Sequence, residues 1–250
     1  SKEDPRTLIV YGLVGDPERV LAELAASEGN VPPLTNRYVV ISPANSDIRL
    51  STPGWMRIDL NQRQALETSD QLFLLCGERL LQNTPPFSGA TRQFLKNYLA
   101  FVKSEVASKG EKLLPLRQGS EVFTHLDFVF SAWLPFPEAN ILLPPGFGDN
   151  GPAFAKVNAT FRQNGRIVAV LIEGTGTPLK SAQLKLDFLQ EKHPYLDLVR
   201  VHNDQLRSGA FPVEAFPASF ARFWEGIDLP MGPCPPSIEL PDGFGNVDMR

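Results

Sequence analysis

The chain has 250 residues, 42% of them hydrophobic and 21% charged, a balance that supports a sizeable core and argues against disorder. A formal net charge of −4 argues against a protein that coats DNA along its length. Two cysteines and three histidines, none in a paired ligand spacing, exclude a disulfide-stapled scaffold and a structural zinc site.

No apolar run approaches the roughly 18 residues that a membrane span needs. The opening residues SKEDPR show no signal-peptide pattern, which does not bear on a leader removed before Ser1. A cytoplasmic protein without a membrane span is expected. Charge is unevenly placed. Lys and Arg outnumber acids in 90–118 and in 155–202, whereas 119–154 carries acids and no base. The two basic segments read either as solvated helix faces or as a groove for phosphates.

RTLIVYGLV predicts a buried strand, because β-branched and aromatic residues dominate it. Asp16 and Pro17 then suit the cap and first position of a helix, PERVLAELAAS, which Gly29 would end. RYVVIS and WMRIDL follow as strands, so the first 60 residues read as a βαβ opening. The glycine-bearing turn YGLVGDPE could in principle hold a phosphate. Asp16 and Glu18 place negative charge there instead, which favours a plain helix cap.

Residues 61–81 read as helix, or as helix then apolar strand, with Cys76 as a buried thiol. Thr91 to Lys109 predicts an amphipathic helix with Phe94, Leu95, Tyr98, Leu99 and Val102 on one side. FTHLDFVFSAWL is a strand candidate, followed by the loop PFPEAN and the short run ILLPP.

The stretch from Ala155 to His202 is the most informative. AKVNATF and IVAVLIEG are apolar strand runs around Asn164-Gly165, a strong hairpin signal. Leu179, Ala182, Leu186 and Leu189 recur at helical spacing, so a helix is expected from Thr177 to Lys192, and LDLVRV closes as a strand. Beyond Gly209 the chain is rich in Pro, Phe and Gly, with one helical piece near ASFARFWEGI. Such a tail either wraps its own domain or offers anchors to a partner protein.

The order helix, strand, strand, strand, helix, strand over residues 90–202 resembles the core of the PD-(D/E)XK nuclease superfamily. Within it, the letters Val157-Asn158-Ala159 and Val170-Leu171-Ile172-Glu173-Gly174 look most like the very-short-patch-repair-like endonucleases. The resemblance implies an α/β fold with a mixed-sheet nuclease-like core (αβββαβ) over 85–205; the patterning outside it places a βαβ-containing region over 1–84 and a Pro/Phe-rich wrapping tail over 206–250. The resemblance also implies Glu173 as a catalytic and metal-binding residue, Asn158 at the position of the first metal carboxylate, and Lys180 or Lys185 as the assisting lysine.

The chain departs from that pattern. Asn158 replaces a carboxylate, Leu171 stands at the usual glutamate position, and Thr175 stands where a lysine often sits. A metal-dependent nuclease needs carboxylates aimed at one divalent ion, which polarises the phosphate and activates a water. The sequence leaves open whether another acid, such as Asp127 or Asp149, replaces the missing one. The expectation is therefore a non-catalytic or weakly active nuclease-fold protein, acting as a scaffold, assembly or binding factor with a protein partner and no cofactor. A Mg²⁺-dependent nuclease acting on DNA or RNA is the alternative, with nucleic acid as the second candidate partner.

Overall fold

A computed structural model describes residues 9–12, 39–41, 47–51, 68–109, 125–144, 146–147, 153–174, 176 and 180–225. The expected helix PERVLAELAAS and strand WMRIDL lie outside the described residues. Strands β1 (Ile9–Tyr11) and β2 (Val39–Ile41) are present where RTLIVYGLV and RYVVIS place them. They pair antiparallel, with Ile9 opposite Ile41. This corrects the βαβ opening, whose two strands would run parallel.

The ambiguous stretch before residue 82 resolves as helix α1 (Ser69–Gln82). Thr68 caps it: its hydroxyl accepts from the Gln71 N–H, and the Gln71 side chain accepts from the Thr68 N–H. That reciprocal pair satisfies two amides that the first turn would otherwise orphan. Leu72, Phe73, Cys76 and Leu80 form its buried face. Gly77 lets α1 approach its neighbour closely, since a Cβ there would stand 3.0 Å from the Leu99 side chain.

Helix α2 (Gly89–Lys109) buries Phe94, Leu95, Tyr98, Val102 and Val106, in agreement with the amphipathic pattern. Arg92 ties the start of α2 to the end of α1 by donating to the Leu81 and Thr84 carbonyls at 2.7 and 3.1 Å.

The strand expected from FTHLDFVFSAWL is instead a 3-10 helix over His125–Ser131. Its residues 128–130 are buried like a strand's, but the segment ends in i→i+3 bonding, with the Ala132 N–H on the Val129 carbonyl. The Phe130 and Ala132 carbonyls accept from Ser51 and Leu50, which binds the segment 47–51 alongside.

Strands β3 (Phe136–Pro137), β4 (Asn140–Leu142), β5 (Phe154–Lys156) and β6 (Ala159–Gln163) follow. AKVNATF is thus two strands, not one. The segments 136–142 and 154–163 run antiparallel in one register: Phe136 faces Thr160, Pro137 faces Ala159, and farther on Asn140 faces Lys156 and Leu142 faces Phe154. Between these stretches the ribbon leaves one sheet for the other. Glu138 marks the corner with φ +50, a left-handed backbone that turns a strand at some cost for a residue other than glycine.

Asn164 (φ +52) and Gly165 (φ +70) make the tight turn that the sequence predicts between β6 and β7 (Arg166–Glu173). Helix α3 (Lys180–Lys192) then crosses to β8 (Leu196–His202), which lies parallel to β7. A short helix α4 (Asn203–Arg207) follows directly. The described residues form two four-stranded sheets, ordered β2-β1-β4-β5 and β3-β6-β7-β8. The second sheet takes β3, β6, β7 and β8 in chain order, with α2 before β3 and α3 between β7 and β8; the 3-10 helix, β4 and β5 intervene, and the sheet's first strand is the two-residue β3 from PFPEAN rather than FTHLDFVFSAWL.

One cluster of buried residues joins Ile9 and Tyr11 to the aromatic centre and to Phe223. Phe211, Phe216 and Phe220 pack on Phe94 and Tyr98 of α2 and on Phe161 of β6, with centroid separations of 4.4–6.3 Å. The described part of the Phe/Pro-rich segment therefore wraps its own core. Polar ties fix it in place. Asn97 donates to the Leu206 and Ala210 carbonyls, Trp133 Nε1 to Phe220, and Arg49 to Phe223. The helical piece expected near ASFARFWEGI is a run of turns through Glu225, with i→i+3 bonds from Phe220, Arg222 and Glu225. Among the described residues no helix is long and apolar enough to cross a membrane.

Candidate functional site

The corner between the two sheets positions Asn158, just ahead of β6 and opposite Glu138. Asn158 N–H donates to the Val170 carbonyl at 3.0 Å, and its own carbonyl accepts from Glu138 at 2.8 Å. Both ends of its side chain make a hydrogen bond. Oδ1 accepts from the Ile172 N–H at 2.8 Å, and Nδ2 donates to the Thr91 hydroxyl at 3.0 Å. The carboxamide thus stands in for a backbone acceptor where the β6–β7 ladder ends.

Thr91, on the first turn of α2, passes the chain of bonds onward by donating to Glu138 Oε1. Glu138 is 7% exposed, and the Lys156 ammonium lies 2.9 Å from its other oxygen. A carboxylate taken this far from water requires such partners, and here a cation and a hydroxyl supply them. Lys156, Glu138, Thr91, Asn158 and Ile172 therefore form one continuous polar chain across β5, the corner, α2, β6 and β7.

Glu173 stands at the other end of the feature that the motif singles out. It is the last residue of β7, next to Ile172, but its carboxylate turns to a different partner. Arg200 of β8 donates to Oε1 at 2.7 Å, with the two side chains 41% and 48% exposed. Across the parallel ladder Glu173 faces His202. His202 Nδ1 accepts from the Asp204 N–H at 3.3 Å, capping α4. Gly174 follows at φ +82, a backbone conformation that favours glycine, and a Cβ there would lie 3.0 Å from Nε2 of the exposed His202 ring.

The two candidate lysines stand apart from this pair. Lys180 is the exposed first residue of α3. Lys185 sits one turn further and places its ammonium 5.4 Å from the centre of the Phe154 ring, a cation–π distance. Among the described residues neither lysine contacts Glu173. The side chain of Asp127 and the whole of Asp149 lie outside the described residues.

A Mg²⁺ site needs several oxygen donors turned to one point. Asn158 presents its Oδ1 to Ile172 and an N–H to Thr91, and the Glu173 carboxylate is held by a guanidinium. As placed, these side chains do not form that donor set. Among the described residues no group of three or more His, Cys, Asp or Glu side chains could hold a metal ion.

Two other electrostatic features frame the sheet. Arg166 and Asp197, on the neighbouring strands β7 and β8, form a bidentate pair at 2.6 and 2.7 Å. The hydrogen bonds from Arg166 hold the Asp197 carboxyl below its ordinary range, against a smaller opposing effect of burial. Cys76 is buried in α1, and burial pushes its thiol up to about 12.

Glu138, Thr91 and Lys156 match no motif in the sequence. The available signal was a lone acid inside the apolar run AWLPFPEANILL, since an acid in such surroundings must find partners. Those partners lie far along the chain, with Thr91 47 positions away.

The described residues form a mixed α/β arrangement with two sheets, the second of which carries a polar corner and an exposed carboxylate–guanidinium pair. No family model, curated protein or solved structure matches the chain.

Proposed function

We propose that the protein is a non-catalytic member of the nuclease-like fold class, working in the cytoplasm as a scaffold, assembly or binding factor for a protein partner. The order of elements contributed to the second sheet supports the fold reading. One observation carries the non-catalytic reading: both positions that the nuclease motif assigns to metal ligands are committed to internal contacts, Asn158 to Ile172 and Thr91, and Glu173 to Arg200.

A single observation favours the second reading, a Mg²⁺-dependent nuclease for DNA or RNA. Glu138 brings a carboxylate to within one hydroxyl group of Asn158, with the Lys156 ammonium beside it. In that reading Glu138 supplies the acid that Asn158 lacks.

The test is incubation of the purified protein with single- and double-stranded DNA and RNA in Mg²⁺ or Mn²⁺, beside Glu173→Ala and Glu138→Gln. The non-catalytic reading expects no cleavage above a chelator control from any of the three proteins. Metal-dependent cleavage that either substitution abolishes would overturn it and establish the second.

A further inference from the structure

We draw no further inference here: the strongest candidate, the apolar surface patch at the Pro85-Pro86 turn between α1 and α2 where Phe87 is 84% exposed, carries nothing because nothing in the structure shows what covers it.

Discussion

The carboxamide oxygen of Asn158 accepts the Ile172 N–H at 2.8 Å, so a side chain completes the β6–β7 ladder at the point where the ribbon changes sheets. The same carboxamide donates to Thr91, whose hydroxyl serves Glu138. Asn158→Ala removes both bonds, one to the N–H of the buried Ile172 and one to Thr91. Loss of about 1–3 kcal/mol of stability is expected, because two hydrogen bonds are lost at about 0.5–1.5 kcal/mol each. Urea unfolding of the variant beside Thr91→Val measures it. A change within a few tenths of a kcal/mol would show that the corner is held by other contacts.

Phe220 is fully buried, with its ring 5.0 Å from Phe161 and 4.4 Å from Phe216. Phe220→Ala leaves a cavity at the centre of the aromatic cluster, and a cost of about 3–5 kcal/mol follows from the lost burial and packing. That is a large part of a typical domain's stability of about 5–15 kcal/mol. A markedly lower thermal midpoint is expected, whereas a near-normal midpoint would mean that residues 211–223 cover the core without supporting it.

The Arg166–Asp197 pair gives stability a pH dependence of definite sign. Asp197 is held below its unfolded value by Arg166, so its contribution is complete above about pH 4, the ordinary aspartate range, and is lost as pH falls through the lower folded value. Both side chains are about a third or more exposed, so the contribution is modest. Asp197→Asn is expected to flatten the acid limb of the stability–pH profile below pH 4 and leave the slope above pH 6 unchanged. An acid limb identical to the parent's would remove Asp197 from the account.

Burial makes Cys76 a poor nucleophile, since its thiol is pushed up to about 12 and thiolate is the reactive form. In native protein at pH 8 the peptide carrying Cys76 is expected to resist iodoacetamide and to label fully in urea. Mass spectrometry of the digested protein reads this out, and rapid native labelling would show that α1 opens easily.

The local signals in the sequence carried much of the architecture. Asn164-Gly165 marked the hairpin because few dipeptides accept positive φ at two successive positions. The spacing of Phe94, Tyr98 and Val102 marked α2 because a helix repeats its buried face every three to four residues. Non-local features were hidden. HLDFVFS has the composition of a strand, but apolar letters report burial, and a buried 3-10 segment uses the same letters. The antiparallel pairing of β1 and β2 is set by the sheet they join, with β4 on the far side of β1. For the site, Asn158 and Glu173 were visible as motif positions, yet Arg200, Thr91 and Glu138, which decide what those two residues can do, are brought in only by the fold.

The proposed loss of catalysis turns on Asn158 and Glu173 facing separate internal partners rather than one divalent ion. Titration of the purified protein with Mn²⁺, followed by the electron paramagnetic resonance signal of free metal, measures this directly. The account predicts no saturable site that depends on Glu173, so the wild-type and Glu173→Ala titrations superimpose. A single saturable site in the wild type that disappears in Glu173→Ala would contradict it.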